Sequence, residues 1–176
     1  FKIGKNEEGK ALLKMLSEEY DSEEVDFKLG NILFNEKNFE EALIYFHKIV
    51  NREANESEYF GTAVYFKAMC KDKLGNKEEA ISLFKESLLY IKSACLIDPT
   101  NINLLNMRSL CLYQLEELEE AEKTIIKALK IQPKDENLLL VGAKIAHKSG
   151  NIKLGKERLE SLLKLNPKYK EVLDED

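Results

Sequence analysis

The side chains best suited to metal or nucleophilic chemistry in this sequence are two histidines and three cysteines. His47 and His147 stand 100 residues apart and neither has a carboxylate or cysteine at ligand spacing. Cys70, Cys95 and Cys111 are odd in number and share no metal-like spacing, so they read as reduced packing cysteines of a cytosolic protein. Acidic pairs such as Glu78-Glu79 and Glu119-Glu120 look like general acid–base pairs only superficially. They open helices, where the macrodipole favours carboxylates. No glycine-rich phosphate loop follows a strand, because no strand is predicted. Gly30, Gly75 and Gly150 read as turns or close helix contacts. The expectation is a chain with no catalytic residues, no metal ligands and no cofactor, and hence no enzyme.

The elements that carry these residues repeat one pattern. Residues 74–84 read LGNKEEAISLF, a helix stop and turn at Gly75-Asn76 followed by an amphipathic helix. Ala80 and Phe84 are four apart and share a face. Residues 36–46 (EKNFEEALIYF), 115–125 (LEELEEAEKTI), 149–159 (SGNIKLGKERL) and 3–13 (IGKNEEGKALL) repeat the pattern. Aligned copies place Gly9, Ala42, Ala80, Ala121 and Gly155 in one slot, and Leu13, Phe46, Phe84, Ile125 and Leu159 four residues on. Twelve residues before the first slot stand Gly30, Ala68, Ser109 and Ala143, small enough for two helices to cross closely.

Composition restricts the function classes. The 176 residues are 44% hydrophobic and 34% charged, the balance of a folded, charge-laced helical protein. A net charge of −5 with no basic cluster argues against nucleic acid and anionic membrane as partners. No apolar run is long enough to span a bilayer, and no signal peptide is visible, so a cytoplasmic location is expected. The chain begins at Phe1, which reads as a fragment or processed product.

Spacing then sets the organisation. Ala121 to Gly155 and Pro133 to Pro167 are both 34 residues, while Ala42 to Ala80 is 38 and Ala80 to Ala121 is 41. A period of this size signals a solenoid in which each unit buries its apolar face against its neighbours. We divide the single domain 1–176 into a half repeat at 1–22, full repeats at 23–56, 61–101, 102–135 and 136–169, and a tail at 170–176. Residues 57–60 are an insertion. Helices are expected near 23–36, 39–52 and 78–97. The half repeat should hold the end of one helix and a second from about Asn6 to Glu19.

A 34-residue helix–turn–helix unit with Gly-Asn before Glu-Glu-Ala, an aromatic four residues later and a closing Pro resembles the tetratricopeptide repeat. The resemblance covers nearly the whole chain and implies an all-α, right-handed superhelical α-solenoid. Departures are Asp26, Val64, Leu105 and Leu139, where the family favours a large aromatic, and Lys67 and Lys71 in usually apolar slots. These lysines either snorkel or follow a helix displaced by the insertion.

The resemblance further implies that first helices line a concave groove where partners dock. The expected groove set is Phe27, Asn31, Phe34, Tyr65, Phe66, Met69, Asn106, Met107, Leu110, Tyr113, Leu140, Val141, Lys144 and His147. Many of these are large and apolar although packing within a repeat does not demand it. The expected occupant is a protein or peptide segment with apolar anchors, in an adaptor or scaffold role. The carboxylate clamp of chaperone-binding relatives is not expected: only Asn31 matches, while Phe27, Asn103 and Met107 replace its cations. The alternatives are self-association through uncapped repeat ends, and a substrate-recruiting arm of a larger enzyme.

Overall fold

In a computed structural model of the chain, residues 2–52 and 59–170 are described, with side chains from Glu7 onward. The end of the tail, 171–176, and residues 57 and 58 of the insertion lie outside the described residues. Among the described residues there are nine helices and no strand. They are α1 (Lys2–Glu19), α2 (Glu23–Asn35), α3 (Phe39–Val50), α4 (Phe60–Lys73), α5 (Lys77–Ile97), α6 (Ile102–Gln114), α7 (Leu118–Ile131), α8 (Glu136–Lys148) and α9 (Ile152–Leu165). The order is that of an all-α helical-repeat solenoid.

Local chemistry explains the boundaries. Ser22, Asn38, Asn101, Asp135 and Asn151 each accept a backbone N–H from the first turn of the helix they precede. The turns within repeats close with a left-handed residue, at Lys37 (φ 62°), Gly75 (φ 85°), Glu116 (φ 62°) and Gly150 (φ 84°). The next residue's N–H then reaches back to the helix it left, as in Asn38 N to Leu33 O and Asn151 N to Ala146 O, both 2.9 Å.

The first copy of the pattern behaves differently. Residues 3–6 form no turn, and α1 is one helix from Lys2 to Glu19. Gly9, aligned with the alanines, is exposed and has open space where a Cβ would project.

Two compact units divide the chain, Phe1–Tyr90 and Ile91–Asp176, with α5 running through the division. In the first unit α2 packs on α1 and α3, and α3 on α4. Its core holds Leu29, Leu33, Ala42, Phe46, Ile49, Ala63 and Cys70. A Cβ on Gly30 would lie 2.8 Å from the Phe46 ring, so the glycine is what lets α2 and α3 approach. Ser87 Oγ donates to Gly61 O at 2.6 Å and joins α5 to α4. In the second unit α6 packs on α7 and α8, and α8 on α7 and α9. Its buried residues include Leu105, Leu112, Ile125, Leu138, Ile145 and Leu162.

Val64, Leu105 and Leu139 are buried apolar residues where a large aromatic is usual, but Asp26 in that slot is buried and charged. Ser17 Oγ donates to Asp26 Oδ1 at 2.5 Å, and Arg52 Nη2 to Oδ2 at 2.8 Å. Lys48 Nζ donates to Ser17 Oγ at 2.9 Å. In the second unit Arg158 is also buried, donating to Gly142 O at 2.7 Å and to both oxygens of Glu122.

Candidate functional site

In the first unit, α2 and α4 carry the expected groove residues, and much of that set is spent on packing. Phe66 stacks on Phe46 with ring centroids 5.3 Å apart, and meets Phe27, Phe34 and Tyr65 edge-on at 5.9, 5.5 and 5.5 Å. Tyr65 is 5% exposed and lies against Phe84. Its burial makes it a packing residue and leaves it little surface for a partner. Phe34 packs on Phe39 at 5.4 Å. Met69 is half-buried.

What remains open is a recess of about 450 Å³ lined by Leu13, Glu24, Phe27, Lys28, Asn31, Ile32 and Tyr59. Phe27 and Tyr59 form its aromatic wall, with ring centroids 5.0 Å apart. Glu24 Oε1 and Lys28 Nζ pair at 2.5 Å along one edge. The hydrogen bond holds the Glu24 carboxyl below its usual range and the Lys28 ammonium above its own. The recess thus offers an apolar floor, a neutralised ion pair and the amide of Asn31. Sequence reasoning reached Phe27 and Asn31 but missed Leu13, Ile32 and Tyr59. Leu13 falls in the apolar slot shared with Phe46 and Phe84, and Tyr59 precedes its helix, where periodicity gives no signal.

In the second unit, α6 and α8 pack together. The expected residues fall at equivalent slots 34 apart: Asn106 with Leu140, Met107 with Val141, Leu110 with Lys144, and Tyr113 with His147. All are half-buried except Lys144 and His147, which are exposed. Lys148 Nζ sits 4.7 Å from the Tyr113 ring centroid and 3.2 Å from Glu116 Oε1. Asn106 Oδ1 is buried without a hydrogen-bond partner among the described residues.

Other chemistry is not assembled. Among the described residues no three His, Cys, Asp or Glu side chains converge as a metal site would need. The three cysteines are buried and unlinked. Burial pushes the Cys70 thiol up to about 12 and raises that of Cys95, which is the opposite of an activated nucleophile. No helix of the described residues is long and apolar enough to cross a membrane.

Comparison with known proteins agrees with the fold. One tetratricopeptide repeat family model matches residues 61–94 and 102–135, and a second matches 24–55. No curated protein matches the chain in sequence. Among solved structures, MamA from Desulfovibrio magneticus RS-1, residues 41 to the end, is similar. It has a TM-score of 0.58 and 18% identity over 95% of this chain and 89% of its own. A thermophilic tetratricopeptide protein of Thermus thermophilus has a TM-score of 0.53 and 17% identity over 88% of this chain and 96% of its own.

Proposed function

Because the chain belongs to the tetratricopeptide repeat family, we propose that it is a non-catalytic protein-interaction module. It seats a partner peptide or helix on the faces of its first helices. Protein interaction is the general role of this fold. The observation that carries the finer reading is the recess beside Phe27, Asn31 and Tyr59, an apolar hollow with few polar groups, as an anchor side chain requires. In the second unit, half-buried Met107, Leu110, Tyr113, Leu140 and Val141 offer further apolar surface. Lys144 and His147 beside them give it a basic edge.

The test uses two double variants of the full chain, Lys28→Glu with Asn31→Glu and Lys144→Glu with His147→Glu. None of the four side chains is buried, so the helical circular dichroism should not change. A partner held by the wild type should bind at least about tenfold more weakly to one of the two variants. If both variants hold it as the wild type does, the first-helix faces are not the site.

A second reading rests on α1. Leu12 and Met15, three residues apart on one face, are 56% and 57% exposed. Such an exposed apolar face can pair with another copy. Sedimentation at rising concentration decides it, since a chain that stays monomeric removes this reading.

A further inference from the structure

Lys67 and Lys71 stand in α4 slots that are usually apolar, and the structure shows what they make room for. Between α3 and α4 lies a recess of about 320 Å³ lined by Leu43, Ile44, His47, Lys67, Lys71 and Glu79. It shares no lining residue with the recess at Phe27. Leu43 is half-buried and packs against the core of the first unit, while Ile44 is 56% exposed. Together they give the recess an aliphatic floor.

The polar part is cationic. Lys71 Nζ is 3.0 Å from Glu79 Oε2, so those two charges balance. Lys67 is half-buried and makes no ion pair among the described residues. The Asn51 amide nitrogen lies 3.0 Å from His47 Nε2. With that nitrogen accepting, the ring proton is on Nδ1 and a donor remains. Lysine stems can cover apolar surface while their ammonium groups face water. One uncompensated positive charge over an aliphatic floor is locally complementary to a segment that is both acidic and apolar.

We propose that this recess is a second docking site. It takes a partner segment that lays an aliphatic side chain on Leu43 and Ile44 and a neighbouring carboxylate on Lys67. The site shares no residue with the recess at Phe27, so one molecule can hold two segments.

The test is titration of the full chain with a capped hexapeptide, Gly-Leu-Glu-Leu-Glu-Gly, and with its Gln-for-Glu counterpart, followed by backbone amide shifts in NMR. The acidic peptide should move the amides of Ile44, His47, Lys67 and Lys71. It should bind roughly two- to fivefold more tightly than the neutral one, the range of a single exposed ion pair. Lys67→Gln should remove that preference without weakening the neutral peptide, and Ile44→Asp should remove the binding of both. Asn31→Glu, on the first-helix face, should change nothing. The proposal is overturned by an absence of shifts at those amides at about 5 mM peptide. It is equally overturned by equal binding of the two peptides, by a preference that survives Lys67→Gln, or by binding lost through Asn31→Glu.

Discussion

Asp26 is 1% exposed and still ionically paired, and single residues of this kind set the stability of the first unit. Its carboxylate accepts from Ser17 of α1 and Arg52 beyond α3, so one side chain ties three segments. Asp26→Ala leaves the Arg52 and Lys48 cations facing a vacated carboxylate site. It should lower the free energy of urea unfolding by about 2–4 kcal/mol. Gly30→Ala should cost about 1–3 kcal/mol by the same measurement, because the new methyl meets the Phe46 ring. Cys70 acts through pH. With its folded pKa raised to about 12, the unfolded chain gives up this proton first. The contribution is constant below the free thiol's range near pH 8.5 and is lost as pH rises above it. Between about pH 8 and 10, wild type should lose roughly 1–2 kcal/mol that Cys70→Ala does not lose, seen as a steeper fall in Tm.

At the scale of helices, the turns expose a difference between copies. Lys37 and Glu116 hold left-handed backbone that Gly75 and Gly150 adopt freely. Lys37→Gly and Glu116→Gly should each raise stability by about 0.5–1 kcal/mol, read from denaturant midpoints. Most of the helical register was legible in the sequence, because the alanine slot, the small residue twelve before it and the Gly-Asn turn recur in phase. The expected helix at 78–97 is observed as Lys77–Ile97. Residues 3–13 carry the same pattern without its turn, since α1 runs unbroken from Lys2 to Glu19, and spacing alone does not tell that copy from the others. The candidate site was less legible. Spacing leaves Phe27, Tyr65 and Phe66 outside the repeating apolar slots, but it says nothing about which rings meet, within a repeat or across neighbouring ones. Such contacts hold Phe66 against Phe46 and Phe27, while Tyr65 is buried against Phe84 of its own repeat. The buried polar groups were nearly invisible too. Asp26 in an aromatic slot is their one signal, while Arg158 falls where the other copies carry Leu12, Tyr45, Leu83 and Thr124, a slot with no shared residue type.

At the scale of the whole molecule, stability runs between neighbours rather than through one central core. The first helix shows it: Lys10 binds Glu36 at 2.9 Å and Lys14 binds Glu41 at 2.5 Å, holding α1 to the repeat that follows. Screening at about 1 M salt should loosen this attachment. Hydrogen exchange of α1 amides should then quicken several-fold while those at Leu29, Leu33 and Phe46 stay protected. Uniform protection across α1, α2 and α3 would contradict that picture. The Arg158–Glu122 pair bears on how the chain can be rearranged. Glu122 is the residue after the alanine slot of its repeat, and the corresponding residues earlier are Leu43 and Ile81. Residues 136–169, grafted behind either earlier repeat, would set the Arg158 guanidinium against an aliphatic side chain with no carboxylate in reach. The repeats are alike in backbone but keyed in order, so shuffling or duplicating them should yield unstable chains unless each buried charge moves together with its partner.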